Sequence, residues 1–292
     1  MSINIPNLFI VGAMKSGTSS LHNYLATHPE IYMSQFKEPQ YFADLGKDPQ
    51  RGLFKTESEY LDLFKGAGNA KIIGESSTNY SKLPEFSGVP ERIKAFSPDA
   101  RIIYIMRDPV ERALSHYWER VKRYLEGRDM LTTIKNEPDI INVGYYAMQL
   151  KPYLETFGRD RVFVLTLEAL NANRTKTLQS IFEWLGVDAS FQVPEIGKYN
   201  VAQEQVPMFI GAPVVAVLRK TPLWSSFTKM IPRSVTDKIR KLTRPVKRDM
   251  SQASEAIAYL RPILLKQTAE LSQLLNRQFP EWTTLYNRSQ EK

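Results

Sequence analysis

Short apolar runs alternate with amphipathic stretches along the first two thirds of this chain. Leu8–Val11, Glu30–Met33, Lys71–Glu75, Arg101–Met106 and Val162–Leu167 are compact and rich in aliphatic residues. That is the pattern of strands buried on both faces of a parallel sheet. Between them the spacing becomes helical. Leu21 and Leu25 stand four apart within Ser19–Ala26, and Tyr60–Phe64, Pro90–Phe96 and Gly144–Phe157 are further amphipathic segments. Val110, Leu114, Tyr117, Trp118 and Val121 form one helical stripe, and Leu178, Ile181, Phe182 and Leu185 another within Arg174–Leu185. Strands alternating with helices predict an α/β fold, a mostly parallel sheet flanked by helices on both faces. From Pro194 to Met250 prolines, glycines and basic residues break the pattern, and Ser254–Leu275 restores it as a helix packed on the body. The expected organisation is one domain over residues 1–292: a core at 5–190, an irregular basic excursion at 191–250, and a C-terminal helix and tail at 251–292.

Composition narrows the chemistry. The 292 residues include no cysteine, which removes disulfides, thiolate zinc sites and thiol nucleophiles. The three histidines, His22, His28 and His116, are too scattered to predict a metal centre. No basic region followed by a long apolar run opens the chain, and no apolar stretch approaches the ~18 residues of a membrane span. A cytoplasmic setting is the expectation. The net charge of +8 is concentrated between Arg219 and Asp249, where ten Lys/Arg face two Asp. Such a run is either a solvated face or a surface for an anionic substrate, an acidic carrier, nucleic acid or a membrane. The regular aromatic interleaving of a base-stacking surface is missing, so nucleic acid is not the expected partner. Peripheral membrane contact stays open.

The segment Asn7–Leu25 carries the first chemical signal. The strand Leu8–Val11 runs into Gly12-Ala13-Met14-Lys15-Ser16-Gly17-Thr18, and a helix then opens on hydroxyl residues. Backbone N–H groups and the helix dipole would converge there on an anion, with Lys15 as a mobile point charge. The spacing G-x-x-K-x-G-T differs from the nucleotide-hydrolase loop, whose lysine follows the second glycine. A second junction follows the strand RIIYIM, where Arg107-Asp108-Pro109 starts a helix with Asp108 as its cap and Pro109 in its first turn.

FIVGAMKSGTSSL, KEPQYF, GESSTNY, RIIYIMRDPVERALSHYW and GYYAMQLKPYL occur in this order. In these motifs the chain resembles the sulfotransferases that use 3′-phosphoadenosine 5′-phosphosulfate (PAPS), in particular the heparan-sulfate type and its bacterial relatives. The likeness covers Leu8 to about Leu185 and loosens afterwards. It implies a P-loop-like fold and transfer of a sulfuryl group from PAPS, leaving PAP, to a hydroxyl or amine. A glycan, a small metabolite, a lipid or a carrier-tethered acceptor is compatible with the core. No metal is implied.

The resemblance also implies roles. The 5′-phosphosulfate would lie on Lys15, Ser16, Gly17, Thr18 and Ser19, with Lys15 neutralising charge near the bridging oxygen. Arg107 and Ser115 match the family's 3′-phosphate contacts, and the planar guanidinium fork suits a phosphate. Glu38, in KEPQYF, matches the catalytic glutamate of the heparan-type enzymes. A carboxylate beside Pro39 and the pair Tyr41-Phe42 would be partly desolvated, which raises its pKa toward working pH. Glu75 is a second candidate base, or a group orienting the acceptor. Where several glycan sulfotransferases carry a lysine after that glutamate, this chain has Ser76. Lys247 and Arg248, before the last helix, are candidates for closing the nucleotide site. Tyr41, Phe42, Tyr80, Tyr145 and Tyr146 either floor an acceptor or pack in the core. Two other classes stay on the table: a P-loop kinase or nucleotide hydrolase with a degenerate loop, and a non-catalytic anion-binding protein.

Overall fold

The computed structural model describes residues 4–44, 52–122, 128–194, 205–209, 243–247 and 253–287. Five parallel strands form the central sheet: β1 (Leu8–Gly12), β2 (Ile31–Met33), β3 (Ile72–Ser76), β4 (Arg101–Met106) and β5 (Val162–Thr166), in the spatial order β2-β3-β1-β4-β5. The helices are α1 (Thr18–Leu25), α2 (Tyr41–Asp44), α3 (Glu57–Leu61), α4 (Val89–Phe96), α5 (Pro109–Lys122), α6 (Met130–Asn136), α7 (Pro138–Asn142), α8 (Tyr146–Phe157), α9 (Leu167–Ala172), α10 (Arg174–Leu185), α11 (Ala253–Leu275) and α12 (Thr283–Tyr286). The parallel sheet with helices on both faces is the expected fold class. Among the described residues no helix is long and apolar enough to cross a membrane.

Strand alternation divides the core. Leu8, Ile10, Ile103 and Ile105 face one side and pack with α1 and α10 through Leu21, Leu25, Leu178 and Phe182. Phe9, Val11, Ile102, Tyr104 and Met106 face the other and join the larger cluster built with α4, α5, α8 and α11. Successive side chains point to opposite faces, so a strand buried on both sides must be apolar at every position. β1 is buried along its whole length.

The topology fixes where a ligand fits. From β1 the chain crosses to β2 on one side of the sheet, whereas from β4 it passes to β5 on the other. The two neighbouring strands β1 and β4 therefore send their connections in opposite directions, and a crevice opens beyond their carboxyl ends.

The stretch read as irregular contains a two-stranded antiparallel sheet, β6 (Gln205–Phe209) with β7 (Thr243–Lys247). Pro207 and Pro245 stand opposite each other in it. Prolines donate no ladder hydrogen bond, which is why the sequence did not read as strand. The remainder of the basic run, Arg248 included, lies outside the described residues. At the C-terminus Trp282 is buried and stacks on Phe279 with ring centroids 4.2 Å apart.

Candidate active site

The loop after β1 is shaped by two glycines. A Cβ on Gly12 would lie 2.0 Å from Ser81 Oγ and 2.9 Å from the Tyr104 ring. That Ser81 hydroxyl donates to the Val11 carbonyl at 2.7 Å, so the approach is fixed by a buried hydrogen bond. Gly17 precedes α1 with φ 92°, a left-handed conformation suited to glycine. α1 has no side-chain cap, leaving its first N–H groups available to an anion. Gly17, Thr18 and Ser19 line the adjoining cavity together with Lys15, whose own φ is 69°. Ser16 differs from the expectation. Its side chain is buried and its N–H donates to the Ala13 carbonyl at 3.1 Å, so it closes the turn from within.

Beyond β4, Arg107 is gripped through its backbone. The Tyr146 hydroxyl donates to its carbonyl at 2.7 Å and accepts from its N–H at 3.3 Å. Asp108 caps α5 by accepting from Val110 N–H and Glu111 N–H, and its other oxygen accepts from Leu285 N–H at 2.9 Å. The Arg107 guanidinium pairs with Glu111 at 3.1 Å, and Thr284 donates to the second Glu111 oxygen at 2.9 Å. The C-terminal segment thus braces a junction more than a hundred residues upstream. Glu111, Ser115 and Glu119 follow at four-residue spacing on one face of α5. Lys15 Nζ lies 3.2 Å from Glu119 Oε2.

The third wall carries Glu38. Its φ is 60° and that of Gln40 is 58°, so the segment turns twice through the left-handed region without a glycine. Lys37 Nζ stands 3.2 Å from Glu38 Oε1, while Thr78 donates to Oε2 through its N–H at 2.8 Å and its hydroxyl at 3.2 Å. Glu75 lies deeper and is fully buried, outside the cavity lining. It accepts from Tyr60 at 2.9 Å, Tyr80 at 2.6 Å and Ser77 at 2.7 Å. Burial pushes its pKa up to about 7 against the opposing pull of those three bonds. Tyr41, Phe42, Tyr80 and Tyr146 are core residues, and Tyr41 stacks on Tyr60 at 4.3 Å. They do not form an acceptor floor. Tyr41 and Phe42, which follow Glu38 in sequence, are buried in the body.

The three walls enclose a cavity of about 1170 Å³. Lys15, Lys37, Lys82, Lys122, Arg107 and Arg174 bring six cations to its lining against three carboxylates, Glu38, Glu85 and Glu119. Among the sequence candidates, Lys15, Gly17, Thr18, Ser19, Glu38, Arg107 and Ser115 meet there; Ser16 and Glu75 do not. Lys247 is in β7, but its side chain, like Arg248, lies outside the described residues. Sequence reasoning missed Lys82, Asn171, Arg174 and Thr175, which also line the cavity. Arg174 lies over the Tyr24 ring at 5.5 Å. It opens α10 immediately after α9, and a basic residue at a helix start carries no signal of a ligand site. Among the described residues no cluster of three or more His, Asp or Glu could hold a metal ion.

The profile described as Sulfotransferase family matches residues 6–191. The chain is 28% identical over 195 residues to mouse heparan sulfate glucosamine 3-O-sulfotransferase 3B1, spanning 64% of this chain and 47% of that protein. It is likewise 28% identical over 249 residues to human carbohydrate sulfotransferase 15, spanning 63% of this chain and 44% of that protein. The chain therefore corresponds to about half the length of the curated relatives it matches. The crystal structure of a sulfotransferase from Alicyclobacillus acidocaldarius aligns with a TM-score of 0.69 at 25% identity, over 96% of this chain and 99% of that one. The matched span contains both strand-to-helix junctions and the Glu38 wall, and the chain belongs to the sulfotransferase family.

Proposed function

We propose that this protein transfers a sulfuryl group from PAPS to a hydroxyl or amine of an acceptor. The observation that carries this reading is the convergence of the Lys15 loop, the Arg107–Ser115 junction and Glu38 on one cavity at the sheet's switch point. An excess of cations, an uncapped helix N-terminus and sufficient volume suit an extended polyanion. The co-substrate supplies an activated sulfuryl group when bound.

Each wall then has a task. The α1 terminus with Thr18 and Ser19 holds the 5′ end of the donor. Lys15 stabilises negative charge as the bond from sulfur to the bridging oxygen breaks. Arg107 and Ser115 hold the 3′-phosphate. Glu38, already oriented by Thr78, takes the acceptor proton as the new bond to sulfur forms. Little covalent work falls to the protein, and alignment with charge stabilisation accounts for the rate. Lys37, Lys82 and Lys122 also line the cavity and suit an acceptor bearing negative charge.

Calorimetry with PAP and 5′-AMP tests the reading without knowledge of the acceptor. PAP should bind ~10²-fold or more tightly, because charged hydrogen bonds contribute ~1.5–3 kcal/mol each. Equal affinities would overturn it. ATP with Mg²⁺ binding more tightly than PAP would favour a kinase or hydrolase instead.

A further inference from the structure

Glu75 is a buried carboxylate beneath the Glu38 wall that the proposed reaction does not use, and its hydrogen bonds run toward that wall. Three hydroxyls surround it: Tyr60 on α3, Ser77 after β3 and Tyr80 in the following turn. A hydroxyl has one proton to give. An ionised carboxylate only accepts, so each hydroxyl must spend its proton on Glu75 and present its oxygen outward as an acceptor. Two of those oxygens are used. Ser77 Oγ accepts from Gln40 N–H at 2.9 Å, and Tyr80 Oη accepts from Phe42 N–H at 3.3 Å. Gln40 and Phe42 follow Glu38 in the segment that holds two left-handed residues without a glycine. Glu38 N–H is tied to the Ser76 carbonyl at 2.9 Å, on the same strand end.

We propose that Glu75 is a positioning residue: its ionised carboxylate sets the direction of the Ser77 and Tyr80 hydroxyls, and these clamp the strained 38–42 segment so that Glu38 faces the cavity. The proposal rests on Glu38 being the base, but the clamp itself is observable without turnover. Protonated Glu75 must donate one hydrogen bond. At least one surrounding hydroxyl then loses its acceptor, turns its proton elsewhere, and no longer offers the fixed lone pair. The groups facing Glu75 are Tyr60 from α3, Tyr80 and Ser77 from the turn, Tyr153 from α8 and Glu38 from the loop, with Arg92 behind Tyr80 and Tyr153. Burial raises Glu75, and its repulsion by Glu38 acts the same way, so the clamp is set to loosen on acidification below neutral pH.

Hydrogen–deuterium exchange of the Gln40 and Phe42 amides, corrected for the intrinsic pH dependence, reads the clamp directly. In the unmutated protein, protection should fall ~10-fold with a midpoint near pH 7. In Glu75→Gln it should be low throughout and the transition absent, with PAP affinity unchanged within two-fold. Ser77→Ala should lower protection at Gln40 and leave Phe42 protected, and it carries the test if Glu75→Gln does not fold. Tyr80→Phe should do the converse. Unchanged protection of both amides in Ser77→Ala and Tyr80→Phe would overturn the proposal. So would a pH-independent exchange profile in the unmutated protein. Loss of PAP binding in the unmutated protein would instead count against the sulfotransferase reading, leaving the clamp to be judged by exchange alone.

Discussion

Lys15 on the first loop and Glu119 on α5 form an ion pair at 3.2 Å, with both side chains on the wall of the same cavity. A carboxylate beside the lysine assigned to the leaving oxygen competes with any anion that enters. Glu119→Gln is expected to tighten PAP binding by ~3–10-fold, a modest effect because both groups keep contact with solvent. The gain should shrink as ionic strength rises. Calorimetry at two salt concentrations checks it; weaker binding would show that Glu119 supports the donor.

Arg107 is paired with Glu111, which Thr284 holds from its other side. Arg107→Ala should remove most of the preference for PAP over 5′-AMP while leaving the weak 5′-AMP affinity nearly unchanged. Lys15→Ala should weaken both ligands and preserve their ratio. The same ratio in all three proteins would place the 3′-phosphate elsewhere.

Glu38 receives two bonds from Thr78 and an ion pair from Lys37, an arrangement that aims the carboxylate into the cavity. Glu38→Gln should keep PAP affinity within a few-fold and lower turnover by roughly 10²–10⁴. Steady-state rates with any responsive acceptor provide the measurement. Near-normal turnover, with Glu75→Gln inactive, would move the base to Glu75.

Gly12 has no room for a methyl group, since Ser81 Oγ would stand 2.0 Å from it. Gly12→Ala should cost about 1–3 kcal/mol through displacement of Ser81 and Tyr104. A melting temperature several degrees lower is the expected readout. An unchanged one would mean that the loop relaxes freely.

Acid stability follows from two opposed groups. Burial lowers His22 to about 4 from an ordinary 6.5, so the unfolded chain binds more protons between those values and stability rises with pH across them. Glu75, raised to about 7 from 4.5, holds its proton longer in the folded state, and its contribution falls as pH rises through that interval. His116, lowered to about 2 by burial and by Arg112, adds to the first effect. Between pH 4 and 6.5 the histidines therefore contribute a climb in melting temperature, against the fall from Glu75 and from Asp108, Asp139 and Glu168, which burial also raises. Glu75→Gln should make that climb steeper and His22→Asn should flatten it. A climb of the same slope in all three proteins would contradict these assignments.

Strands and their order of appearance were legible because a parallel strand covered on both faces has to be apolar at consecutive positions, as Leu8–Val11 and Ile102–Met106 are. The junctions after β1 and β4 were legible for a related reason. Anion binding at a helix start needs a particular turn, and Gly12, Lys15, Gly17 and Arg107 sit within a few residues of each other or of a strand end. Local chemistry of this kind is written locally. The aromatic pair Tyr41-Phe42 shows the limit, since its composition fits an acceptor wall as well as a core, and only packing against Tyr60 and Phe96 placed it inside.

What the tertiary structure decided is everything that depends on closing distances between remote segments. The sequence by itself determined the α/β class, the two strand-to-helix junctions and the residue types at Glu38, Arg107 and Ser115. It put Glu38 first and Glu75 second as candidate bases, and the fold separated them by burial: one lines the cavity, the other lies beneath it with three hydroxyls. It gave no sign that Glu119 would meet Lys15, that Arg174 would join the cavity, or that Leu285 and Thr284 would brace α5. The physical reason is common to all of these. A hydrogen bond or ion pair between distant residues constrains neither partner's local spacing, so no periodicity records it until the sheet order brings the partners together.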